Sequence, residues 1–160
     1  MKLTQINNHL FSKPFLNSLF FVQNKWHQHG VLVHTIRVIY YTLKAKQYKM
    51  LATAFLHDIG KPSTAFKKDD EDIIFGEYSF TDHEERSYQI IKNWSFISSY
   101  TKNMVRYHYL IRDIKKSKLE DFKRYEKKIK IWDTIESNMK KDLEIFLKFD
   151  DLGKGKKRRC

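Results

Sequence analysis

A chain of 160 residues, 41% of them hydrophobic, can bury one core and gives no reason to expect a second. Five Gly and two Pro speak against a sandwich or barrel of short strands, and the single cysteine, Cys160, excludes an internal disulfide. No apolar run approaches the roughly 20 residues of a membrane helix and no signal-peptide core is present, so a cytoplasmic protein without a membrane partner is expected, its net charge of +12 serving either polyanion binding or solubility.

In chain order, Pro14 to Val22 reads as a short helix opening at a proline, followed by the polar, aromatic loop Trp26-His27-Gln28-His29-Gly30. Val31 to about Lys46 is apolar nearly all round, which predicts a central buried helix carrying His34. The apolar run Met50 to Leu56 then leads into His57-Asp58-Ile59-Gly60-Lys61-Pro62. On a helix, His57 follows Ala54 and Met50 by one and two turns, and Asp58 follows Phe55 and Leu51 likewise, so both face inward. A buried imidazole beside a buried carboxylate is costly unless a charge compensates it, and a metal ion is the usual compensation. The plainer alternative is a helix end with incidental polar residues. Gly60 suits a left-handed helix cap, and Pro62 is expected to end the helix.

Lys67 to Asp72 reads as a solvated acidic loop, and Ile73 to Phe80 as a small hairpin or ordered loop around Gly76, a candidate flap. Thr81-Asp82-His83-Glu84 has the form of a capping box, which places His83 in the first turn of a helix whose apolar face continues through Tyr88, Ile91 and Trp94. A helix from about Ile97 to Ile114 carries Tyr100, Met104 and His108 on one stripe. A charged helix from Lys118 to Ile135 follows, its Phe122, Tyr125, Ile129 and Trp132 stripe expected in the core. In the last helix, from near Ser137 to Gly153, Asp150 continues the apolar face of Leu143, Phe146 and Leu147, while Asp151 turns toward the polar side. Residues 1–153 are thus read as one domain, and 154–160 as a basic tail that is either a polyanion-binding arm or an end of no special role.

His34, His57, Asp58, His83, His108 and Asp150 each lie on or next to the apolar face of a predicted helix, too many to be unrelated core polar groups. Nitrogen and oxygen donors without a thiolate suit manganese, iron, cobalt, nickel or magnesium better than structural zinc. An aspartate able to bridge suggests two ions rather than one. His27 and His29 are left without a role.

At these residues the sequence resembles the HD-domain metal-dependent phosphohydrolase superfamily, over roughly Lys25 to Lys154. The likeness rests on His34-Thr35-Ile36-Arg37-Val38, His57-Asp58-Ile59-Gly60-Lys61-Pro62, Phe80-Thr81-Asp82-His83-Glu84, Arg106-Tyr107-His108 and Lys148-Phe149-Asp150-Asp151-Leu152-Gly153. Within the superfamily it is most similar to the HD domain of bacterial CCA-adding tRNA nucleotidyltransferases, here free-standing. The resemblance implies an all-α, right-angled bundle of about six to seven helices with a small hairpin or loop after the His57-Asp58 motif. It implies one divalent ion on His34, His57, Asp58 and Asp150, and a second, where present, on Asp58, His83 and His108. Asp58 would be central to catalysis. Lys61 would contact a substrate phosphate, or serve only as a cation at a helix C-terminus. The implied substrates are nucleotides or RNA phosphoesters such as 2′,3′-cyclic phosphates, with tRNA among the candidate partners. The alternative is a nucleic-acid-binding module of the same fold with little or no hydrolysis.

Overall fold

The computed structural model describes residues 30–67 and 78–155. The predicted helix from Pro14 to Val22, His27, His29, the acidic run from Lys68 onward, the Gly76 turn and the tail from Lys156 lie outside the described residues. Among those described, the elements are α1 (Val31–Lys44), a 3₁₀ turn (Tyr48–Met50), α2 (Leu51–Leu56), α3 (Lys61–Thr64), β1 (Ala65–Phe66), β2 (Ser79–Phe80), α4 (His83–Ile91), α5 (Ser99–Tyr107), α6 (Leu110–Glu120), α7 (Phe122–Thr134) and α8 (Ser137–Gly153). The protein is an all-α bundle. Its only described sheet is the antiparallel pair of β1 and β2, with Ala65 opposite Phe80. No described helix is long and apolar enough to cross a membrane.

Helix α1 buries Val31, His34, Thr35, Val38 and Thr42 at helical spacing, and packs that stripe on α8 and α2. It is not buried all round as expected: Val33, Ile36, Tyr40 and Leu43 form an exposed second stripe. Lys46 ends the helix in the left-handed region at φ 56°, where its N–H donates to Leu43 and that of Gln47 to Thr42, closing a Schellman motif without glycine. Val38, Met50, Ala54, Met104, Leu143 and Phe146 form one fully buried cluster. Leu56, Ile59, Ile90, Ile91, Trp94 and Val105 form a second on the other side of α2 and α5. Each large side chain contributes about 1.5–3 kcal/mol by leaving water.

Several local expectations are corrected. Gly60 has φ −80°, inside the right-handed region, and Pro62 sits in the first turn of α3, where its missing N–H costs nothing, so the chain continues helically past both. The capping box does not form: Asp82, not Thr81, precedes α4, at φ 55° and with no side-chain cap bond. The expected helix from Ile97 to Ile114 is two helices, broken at His108-Tyr109, and Ser98 caps α5 by accepting from the Thr101 N–H at 3.2 Å. The next helix is divided in the same way, because Asp121 is extended (φ −154°) and caps α7 through the Arg124 N–H. No residue of α7 is fully buried and Phe122 is 67% exposed, so the expected core stripe is met only at its far end, where the half-buried Trp132 packs on the main cluster. Helix α7 packs chiefly on α6.

Candidate metal centre

Helix ends converge on one point. His34 comes from the first turn of α1, His57 follows the last residue of α2, Asp58 comes next, His83 opens α4, His108 follows α5, and Asp150 lies in the last turn of α8. All are buried, none more than 6% exposed. Two glycines permit the approach. A Cβ on Gly60 would lie 2.6 Å from the backbone of both His83 and Ser87, and one on Gly153 would lie 2.5 Å from Val38 and 3.0 Å from the His34 ring. The first closeness brings the start of α4 to the Asp58 turn; the second brings α8 against α1. Ser87 fastens that turn, donating to the His57 carbonyl at 2.7 Å and accepting from the Gly60 N–H at 3.0 Å. Arg37 holds the end of α8 by donating to the carbonyls of Gly153 and Leu152, both at 3.1 Å.

The donors fall into two groups, His34, His57 and Asp150, and Asp58, His83 and His108, each with one donor atom per residue and all such atoms within 4.8 Å of one another. Asp58 stands between them. Its Oδ2 is 3.4 Å from His34 Nε2 and 3.3 Å from His57 Nε2, while its Oδ1 is 3.6 Å from His83 Nε2. Asp150 Oδ1 lies 3.0 Å from His34 Nε2 and 3.7 Å from His57 Nε2. Backbone carbonyls fix two of the rings: His57 Nδ1–H donates to Ala54 at 3.0 Å and His108 Nδ1–H to Val105 at 2.7 Å. Both therefore turn Nε2 into the cluster, the orientation a metal-binding imidazole needs.

His34 Nε2 and His57 Nε2 are only 3.1 Å apart, a separation at which two lone pairs repel unless a proton or a cation lies between them. Burial draws His57 down, but the Asp58 carboxylate, assisted by Asp150, outweighs it and raises the imidazole to about 9. Burial depresses His34 by more than Asp150 restores. It holds His83 well below its ordinary value, and with the charge of His57 it drives His108 to about 4. Burial alone would raise Asp58 and Asp150, yet His57 and Lys61 hold Asp58, and the His34 and His57 hydrogen bonds hold Asp150, well below the carboxylate range. The arrangement is thus two buried carboxylates facing three imidazoles held neutral and a fourth, His57, whose charge they hold between them; a divalent cation would supply that positive charge instead, and the nitrogen and oxygen donors fit one.

Lys61 lies on the wall of this site, 4% exposed, with Nζ 2.7 Å from Asp58 Oδ2 and over the Phe80 ring at 5.5 Å. It stands at the helical turn that leads from α2 into α3, with its ammonium against Asp58. The sequence reading passed over Arg112, which donates to Asp150 Oδ2 at 2.8 Å and Asp151 Oδ1 at 2.6 Å. Its place four residues after His108 was the available signal. Lys154, read as the start of the tail, pairs with Asp151 at 3.1 Å. In front of the cluster opens a cavity of about 610 Å³, lined by Asp58, His83, His108 and Asp150 on its floor and by Lys61, Phe80, Tyr109, Arg112, Lys116 and Lys154 around it.

A family model described as the HD domain matches residues 31–138, more than half of the chain. No curated protein and no solved structure matches the chain.

Proposed function

The chain belongs to the HD-domain family, whose members are generally metal-dependent hydrolases, and on that premise we propose that it is a metal-dependent phosphohydrolase acting on nucleotide or RNA phosphoesters. The observation that carries this reading is Asp58, placed to serve both donor groups at the floor of an open cavity with a lysine ammonium beside it. His34, His57, Asp58 and Asp150 would hold one divalent ion and Asp58, His83 and His108 a second. Manganese, nickel, iron, cobalt and magnesium fit the donors. Such ions supply Lewis-acid stabilisation of a phosphoryl group and acidify water.

The remaining roles belong to the chain itself. Lys61 Nζ, 2.7 Å from Asp58 on the cavity wall, would offer an N–H donor to a substrate phosphate oxygen. Arg112 orients Asp150 and balances its charge. Phe80 and Tyr109 give the cavity an apolar wall that suits a nucleoside. The +12 charge supports an anionic substrate larger than phosphate, and the reading extends to RNA esters, including 2′,3′-cyclic phosphates and tRNA ends.

The test is hydrolysis of cyclic and linear nucleotides by chelated protein reloaded with manganese, nickel or magnesium. Turnover should appear with metal and vanish in Asp58→Ala. Lys61→Ala should keep its metal and lose about 100-fold in turnover. Hydrolysis that survives chelation and Asp58→Ala would overturn the reading, and normal turnover by Lys61→Ala would remove that residue's role.

A further inference from the structure

Away from the His/Asp centre, the turn joining α6 to α7 holds the two most exposed of the large apolar side chains described, Leu119 at 88% and Phe122 at 67%. The Tyr125 ring lies 6.0 Å from that of Phe122 at 36°, so the turn presents an aromatic surface. Exposed lysines surround it: Lys118 and Lys123 flank the two apolar residues in sequence, and Lys115 stands one helical turn before Leu119. Of these and Lys116, only Lys116 has an ion-pair partner among the described residues, Glu120 at 3.8 Å.

The turn also borders a second cavity, of about 330 Å³, whose wall carries Asp82, Glu84, Asp113, Glu120 and Asp121 against Lys116 and Arg124, so a polyanion bound at the turn stays on its outer, lysine-bearing side.

We infer that the α6–α7 turn docks a single-stranded nucleic acid, a base stacking on Phe122 and backbone phosphates meeting Lys115, Lys118 and Lys123. Every base has a face that stacks on an aromatic ring, and unpaired lysines beside it neutralise phosphates, which is how strands are held without sequence preference. A lipid surface could use the same lysines, and the vesicle measurement below separates the two. Docking at the turn does not rest on the phosphohydrolase reading.

The test is binding of a fluorescently labelled single-stranded RNA, about ten nucleotides long, to the full chain in chelator. Wild type should bind with an affinity that falls steeply with salt, and Asp58→Ala should bind as well. Phe122→Ala should weaken binding about tenfold, and Lys118→Ala/Lys123→Ala should weaken it and flatten the salt dependence by about 1.4 in log–log slope. Circular dichroism and melting temperature show that these surface variants remain folded. Failure of wild type to bind, or unchanged binding by the folded variants, overturns the inference even where small esters are hydrolysed. So does loss of affinity for phosphatidylcholine–phosphatidylserine vesicles with RNA binding intact.

Discussion

A methyl group on Gly60 would meet the carbonyl oxygen of His83 and the amide nitrogen of Ser87, each at 2.6 Å, and neither can swing away because both are backbone. Gly60→Ala is therefore expected to cost about 1–3 kcal/mol in urea unfolding by overpacking. At Gly153 the obstructing atoms are side chains, Val38 Cγ2 and the His34 ring, so Gly153→Ala should cost less stability while displacing His34 and weakening metal binding. Calorimetry with manganese beside urea unfolding separates the two: the Gly60 variant loses more stability, the Gly153 variant more affinity per unit of stability lost. The sequence showed both glycines at helix ends and suggested that Gly60 served a left-handed cap. That reading failed because what requires glycine there is the approach of α4, 23 residues or more farther along the chain, and a local pattern carries no trace of it. The inward directions of His57, Asp58 and Asp150 were legible, since helical periodicity against apolar neighbours fixes them.

At the scale of elements, α6 and α7 are joined by Asp113, 4% exposed in its side chain, which pairs with Lys128 at 2.6 Å and Arg124 at 2.7 Å. Burial would raise this carboxyl, but the hydrogen bonds of Lys128 and Arg124 outweigh it and lower it below 3.8. A carboxylate depressed in the folded state adds stability that is present above its unfolded pKa and is lost as pH falls through the folded one. Asp113→Asn should thus lower stability by about 1 kcal/mol at pH 7, a figure reduced because Arg124 is 44% exposed, and the gap from wild type should close on acidification below the ordinary carboxylate range. A gap that widens in acid would contradict the pairing. The helices themselves were mostly visible as apolar stripes, but their breaks were not. The chain turns at His108-Tyr109 without Gly or Pro, and the stripe of Tyr100, Met104 and His108 runs straight into the break. Asp121, by contrast, was a readable cap, since it accepts from the Arg124 N–H three residues on.

For the whole molecule, an all-α bundle followed from few Gly and Pro and long helical periods, and the structure and the family match agree with it. The convergence of the site could not be read from any one segment. Arg37 reaches the end of α8 across 116 residues of chain, and His34 meets His57 and Asp150 only because α1 packs on both α2 and α8. Such a centre ties together elements from both ends of the described chain, so metal binding should stabilise the entire fold: at 100 times Kd a bound ion adds about 2.7 kcal/mol. The most direct measurement is a calorimetric titration of chelated protein with manganese or nickel, for wild type and Asp58→Ala, with melting temperature read on the same samples. The account predicts that wild type binds the ion and melts at a higher temperature, and that Asp58→Ala, which takes a donor from both groups, binds far more weakly with little rise. A folded wild type that takes up neither ion would contradict it.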